Sequence, residues 1–150
     1  MTPFEKLRAG WNLVNGSTLV GLGLAAAVRC SLAPGPQGLI LAHGYGLGLP
    51  KAAAFTVGNV VLFHRSAAGL ADNPQLLSHE SRHSTQYALC LGLPFLPLYA
   101  GAALWSVWRT GDPASRNVFE RNAGLRAGGY TERAVRRGPG RRRAPSAPVA

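Results

Sequence analysis

The chain is short of acids. Across 150 residues, six Asp and Glu stand against sixteen Lys and Arg, a formal net charge of +10. Any binding or catalytic carboxylate must therefore come from Glu5, Asp72, Glu80, Asp112, Glu120 or Glu132. Cysteine is scarcer still: Cys30 and Cys90 cannot make a disulfide framework, so two reduced thiols are expected. Met1 to Asn15 has no hydrophobic stretch of signal-peptide type, and a cytoplasmic location is the expectation. Charged residues are 15% of the chain, whereas Gly 19 and Pro 11 fill 30 positions, which predicts many turns and short elements. The length suits one domain with a modest core.

The positive charge is uneven. Residues 1–120 hold 8 Lys/Arg against 5 Asp/Glu, but residues 121–150 hold 8 Arg against Glu132 alone. This predicts a domain over 1–130 and a disordered Arg/Pro-rich tail over 131–150. Such a tail attracts phosphates on nucleic acid or anionic lipid without selectivity, or it merely solubilises. No aromatic interleaving accompanies it, so no specific nucleic-acid recognition is expected.

What the chain does contain is the run from Asn73 to Tyr87, with His79, Glu80 and His83 in the pattern H-E-x-x-H. Residues four apart on a helix stack one turn apart, so both imidazoles can meet one ion. The glutamate between them lies about 100° round, where it can reach a water without ligating the metal. Asn73 can cap this helix and Pro74 suits its first position, which places it at 74–90. On the helical wheel His79, His83, Gln86 and Cys90 share a face; Ser78, Ser81, Arg82 and Thr85 fall on the other side, expected to face solvent. Cys90 lies two turns beyond His83 and is read as wall, not ligand. The plain alternative is a helix with two half-buried histidines and a surface glutamate.

Around this helix, Phe4, Leu7, Trp11 and Leu13 are candidate packing anchors, and Leu19–Val28 reads as a short buried helix capped by Ser17. Residues 38–42 and 54–63 look like strands of an antiparallel hairpin or small sheet, the second β-branched and aromatic. His43 and His64, at strand ends, read as turn or surface histidines. Leu89 to Trp108 is twenty residues without a charge. Gly92, Pro94 and Pro97 predict a break in it, followed by a helix at 98–109. A buried helix packing on the metal helix is expected, with peripheral membrane contact the alternative. Residues 114–124 read as a short helix carrying Glu120. That carboxylate fits a third metal ligand, but Asn117-x-x-Glu120 also fits a capping box.

Taken together, His79-Glu80-x-x-His83-x-x-Gln86-Tyr87, then Gly92-x-Pro94-Phe95-Leu96-Pro97-Leu98-Tyr99, then Asn117-x-Phe119-Glu120-Arg121-x-Ala123 resemble a family of short bacterial proteins with a gluzincin-like signature. Asn15–Thr18 and Phe55–Val61 extend the resemblance over roughly residues 11–130. The resemblance implies that Glu120 is the third zinc ligand. Compared with better-known gluzincins, the chain lacks the length for a second lobe forming a deep cleft, which argues against efficient general proteolysis.

The expectation is a small α+β, zincin-like domain: antiparallel strands, the H-E-x-x-H helix, then two further helices. His79, His83 and Glu120 would hold Zn2+ and Glu80 would act as general base on a peptide or protein substrate. The strand at 55–63 would lie beside the cleft, and Tyr87 or Tyr99 would face an oxyanion. The rival expectation is a non-catalytic zinc-binding structural protein, associated with a membrane surface through residues 89–108 and the tail.

Overall fold

A computed structural model describes residues 1–50 and 52–136. The chain is α+β, a mixed four-stranded sheet with five helices. The arginine-rich stretch from 137 onward, expected to be disordered, lies outside the described residues. Beyond residue 130 the described chain is irregular and largely exposed, held to the domain by hydrogen bonds from Arg133 N–H to Ser115 Oγ (2.7 Å) and from Arg136 N–H to Arg109 O (2.8 Å).

Helix α1 (Pro3–Val14) starts at a reciprocal cap, in which Thr2 Oγ1 accepts from Glu5 N–H and the Glu5 carboxylate accepts from Thr2 N–H. The expected packing anchors are wrong here: Phe4, Leu7, Trp11 and Leu13 are exposed, and the buried residues are Arg8 and Asn12. The Arg8 guanidinium donates to the Ser81 carbonyl (3.1 Å) and hydroxyl (2.7 Å) and to Gln37 O, so this helix packs through hydrogen bonds. Helix α2 (Ser17–Ala27) has Gly16, not Ser17, at its N-cap with no side-chain cap, and Asn15 Oδ1 accepts from Ser17 N–H (3.1 Å) and Ser17 Oγ (2.7 Å). Ser17 is thus the first helical residue. The helix is buried on one side only, since Leu19 and Val20 are exposed.

The strands are β1 (Ser31–Pro34), β2 (Ile40–Tyr45), β3 (Ala54–Val57) and β4 (Val60–His64), in the order β1-β2-β4-β3. The expected all-antiparallel sheet is corrected to a mixed one: β1–β2 and β3–β4 are antiparallel, but β2 and β4 are parallel. The chain leaves β2, passes to the sheet edge, and re-enters as β3 before turning into β4. Residues 54–63, read as one strand, are a hairpin whose two-residue loop is Gly58-Asn59. Within β4, Val60, Val61, Leu62 and Phe63 are all at 0% exposure, which explains the continuous apolar run without alternation. Val60 and Leu62 pack with Ala25, Ala42, Tyr87 and Phe95, while Val61 and Phe63 pack with Leu39, Leu41, Leu76 and Leu77.

The hairpin turn is also a junction. Asn59 Oδ1 accepts from Asn12 Nδ2 (3.0 Å) and Ser84 Oγ (2.7 Å), and Asn59 N–H donates to Thr18 Oγ1 (3.2 Å). Gly58 sits there with φ +63, and a Cβ on it would fall 2.4 Å from Thr18 N and 2.5 Å from Ser17 C. Backbone strain and a backbone clash add, so Gly58→Ala is expected to cost about 2–4 kcal/mol. Urea unfolding measures this, and a change under 1 kcal/mol, about the level of an ordinary surface substitution, would contradict it.

Helix α3 (Pro74–Leu89) is capped as expected: Asn73 Oδ1 accepts from Gln75 N–H (3.0 Å) and Leu76 N–H (3.3 Å), with Pro74 at the first position. It is far more enclosed than the polar face suggested. Of Ser78, Ser81, Arg82 and Thr85 only Arg82 is exposed, because α1 covers Ser81. Leu91 (φ 60) and Gly92 (φ 96) make the expected break. Helix α4 (Phe95–Thr110) then begins earlier than 98, since Pro97 in the first turn gives up no hydrogen bond. It is not the expected buried helix: only Phe95, Ser106 and Thr110 are buried. Helix α5 (Val118–Ala123) is shorter than 114–124. No helix among the described residues is long and apolar enough to cross a membrane.

Candidate metal centre

The structure brings His79, His83 and Glu120 together. The two histidines project from successive turns of α3, and Glu120 comes from α5, packed across it. One donor atom from each lies within 4.8 Å of the others, and all three residues are buried. The Nε2 atoms of the histidines are 3.0 Å apart, with Glu120 Oε2 3.3 Å from His79 and Oε1 3.6 Å from His83.

Neighbouring groups settle which ring nitrogens carry protons. His79 Nδ1 lies 3.1 Å from Gly124 O, a carbonyl that can only accept, so Nδ1 is the protonated atom. Gln86 Nε2 donates to Phe119 O (2.9 Å) and Asn122 Oδ1 (3.0 Å). That orientation leaves Gln86 Oε1 to accept from His83 Nδ1 at 2.8 Å. In the neutral rings both Nε2 lone pairs therefore face each other and a carboxylate. Glu120 Oε2 is fully buried and has no hydrogen-bond donor. Two nitrogen lone pairs and a carboxylate oxygen with no donor converging in a dry interior repel one another unless a proton or a metal ion sits among them. The donor set fits a metal ion, and these residues could hold one.

The alternative role for Glu120 is excluded by the geometry. Asn117 caps α5 by accepting from Phe119 N–H (3.0 Å), and the Glu120 side chain points to the histidines instead of back to Asn117. Tyr99 from α4 donates its hydroxyl to Glu120 Oε1. Without a metal, a proton on an Nε2 takes its place: burial pushes the Glu120 carboxyl up, but hydrogen bonding to the protonated His79 and His83 outweighs this and holds it well below the usual carboxylate range. Burial likewise pulls His83 down, and the hydrogen bond and charge of Glu120 raise it above its ordinary value. Tyr99 and Tyr130 are pushed far up by burial and then by Glu120, so both hydroxyls stay protonated.

Glu80 is outside the ligand group yet on the same cavity, which has a volume of about 460 Å³. It is 2% exposed, and its Oε2 accepts from Thr56 Oγ1 (2.6 Å). Burial raises its pKa, against the charge of His83 and the Thr56 hydrogen bond. Residues 54–57, the edge strand β3, line the cavity beside it. Of the other sequence candidates, Tyr99 is engaged by Glu120 and Tyr87 packs in the core on Phe95. Cys90 ends α3 and packs against the core. His43 stacks on Phe63, and His64 pairs with Ser66, so neither joins the site.

Sequence reasoning missed Thr56, Tyr130 and the support behind the histidines. Thr56 is the one polar side chain in Ala54–Val57, a signal that was available. Tyr130 lies in a loop with no periodic pattern, and its ring is 6.2 Å from His79. Gly128 backs the same imidazole, where a Cβ would come 2.5 Å from His79 Cε1. The helical wheel puts Gln86 on the right face but gives it no role; it orients His83 and fastens α5. Gln86→Leu is expected to weaken metal binding about 10- to 100-fold with the fold retained, read by competition against a chelating dye. Unchanged affinity would remove Gln86 from the site.

Compared with family models, with curated proteins and with solved structures, the chain matches none of them.

Proposed function

We propose that the protein is a zinc-dependent hydrolase, peptidase-like in its chemistry, with a zincin-like arrangement of its metal helix. The observation that carries this reading is the placement of Glu80. It shares a cavity with two histidines and a carboxylate that converge on one point, yet it is not among them. Two imidazoles and one carboxylate are the donor set of catalytic zinc sites, which keep a fourth position open. Zinc bound there would polarise a carbonyl oxygen and acidify water to a pKa of about 7.

The chain's own residues do the rest. His79 and His83 offer Nε2, each held in that tautomer by an acceptor on Nδ1. Tyr99 steadies Glu120 by donating to its Oε1. Glu80 takes the proton of the attacking water and returns it to the leaving group, with the Thr56 hydroxyl fixing its carboxylate. The edge strand β3 offers unpaired backbone groups along the cavity, to which an extended peptide can add as a further strand.

Metal analysis tests the first half of the proposal. Purified protein is expected to carry about one zinc per chain and the His79→Ala variant almost none. Equal metal content in both proteins would end it. A purely structural zinc would use the same three ligands, and the role of Glu80 separates the two readings.

A further inference from the structure

Helix α4 is turned inside out. Its hydroxyl side chains face the domain: Ser106 Oγ donates to Asp112 O (2.7 Å) and accepts from Arg116 N–H (2.7 Å), and Thr110 Oγ1 donates to Ser106 O (2.8 Å). These bonds fix the rotation of the helix. The opposite side presents Leu104 at 71%, Trp105 at 52% and Trp108 at 66% exposure. Helices α1 and α2 share the reversal, with Arg8, Asn12, Ser17 and Thr18 inside and Leu7, Val14 and Leu19 outside. Water is a poor neighbour for such a surface, whose large apolar side chains are clustered rather than scattered.

We infer that the outward face of α4, with Arg109 and Arg136 at its end, docks on an anionic lipid bilayer. The charges nearby select this occupant. Arg109 lies over both indoles, 5.4 Å from the Trp105 ring and 5.8 Å from Trp108. Arg136 is tied to the same point, its N–H donating to Arg109 O at 2.8 Å. The sequence after Arg136 adds Arg137, Arg141, Arg142 and Arg143 and no acid. The neighbouring acid, Asp112, spends its carboxylate on Ser115 N–H (2.7 Å) and Ser115 Oγ (2.5 Å). Indoles favour the headgroup region, leucines the acyl boundary beneath it, and arginines the anionic headgroups. A second copy of the chain would meet this face with the same excess of positive charge. A helix of 16 residues is about 24 Å long, short of the roughly 30 Å hydrocarbon core, so α4 lies along the surface.

The test is flotation of the full chain with vesicles of phosphatidylcholine alone or mixed with phosphatidylglycerol. Binding to the mixed vesicles is expected to be about tenfold tighter or more, with a blue shift of tryptophan emission and weakening by salt. The combined variant Leu104→Gln, Trp105→Gln, Trp108→Gln should bind the mixed vesicles at least about tenfold more weakly while keeping its circular dichroism and metal content. Should that variant not fold, Arg109→Gln combined with Arg136→Gln serves instead and is expected to weaken the preference for phosphatidylglycerol. The inference is overturned if the wild type floats with neither vesicle or equally with both, or if the folded triple variant floats like the wild type. It is also overturned if sedimentation shows a dimer that the triple variant dissociates, because a second copy would then cover the face. None of these outcomes depends on hydrolytic activity.

Discussion

The Glu80→Gln variant is expected to keep its full metal content and to lose hydrolysis by about 10²- to 10⁴-fold, the usual contribution of a positioned general base. The two halves of that result come from different atoms. In the proposed site metal content would depend on His79, His83 and Glu120, whose donor atoms lie within 4.8 Å of one another, and Glu80 is not of that group. The substitution keeps the shape of the side chain, and its carbonyl oxygen can still accept from Thr56 Oγ1, now 2.6 Å from Glu80 Oε2. It removes the capacity to take a proton. Zinc measured by mass spectrometry and cleavage of a peptide panel give the two readouts. If the wild type carries zinc and cleaves nothing while Glu80→Gln behaves identically, the structural reading of the site replaces the catalytic one. If Glu80→Gln cleaves as fast as the wild type, Glu80 is not the base.

How much of this was legible in the sequence depends on whether the interactions involved are local. The helix over 74–89 announces itself through Asn73 and Pro74, whose cap geometry needs only neighbours in the chain. The pairing of His79 and His83 is equally local. Glu120 stood out because acids are so few, but its choice between cap and ligand turned on where α5 lies relative to α3. That depends on the hydrogen bonds of Gln86 and Arg82 to the backbone of α5, Gln86 to Phe119 O (2.9 Å) and Arg82 to Asn122 O (3.2 Å). The parallel pairing of β2 and β4 has no local signature at all. The Gly58-Asn59 turn did have one, but the apolar run on both sides of it hid the hairpin. The surface helices failed for a different reason. Hydropathy predicts large apolar residues inside, whereas α1, α2 and α4 bury polar side chains and leave Trp11, Leu19 and Trp108 outside. A hydropathy pattern gives the angle between two faces, but not which of them the domain uses.

Removing the metal is expected to lower the melting temperature by about 10 °C. An ion at a thousand times its dissociation constant stabilises the folded chain by about 4 kcal/mol, and a chain of this size shifts by roughly 2–4 °C per kcal/mol. The loss should be concentrated at α5. A helix of six residues has no stability of its own and is held by contacts with α3. Without a metal ion, the Glu120 carboxylate remains 2% exposed opposite two imidazole Nε2 atoms, and the site must either take up a proton or let α5 swing away. Hydrogen exchange should then quicken first at 118–124, and next in α3 around His79 and His83, where Gly124 O and Gln86 lose their roles. The amides of β4, enclosed in the sheet between β2 and β3, should hold longest. The His79→Ala variant should melt at one temperature with or without chelator. A metal-loaded wild type whose melting point ignores the chelator would mean that the ion is held somewhere other than between these two helices.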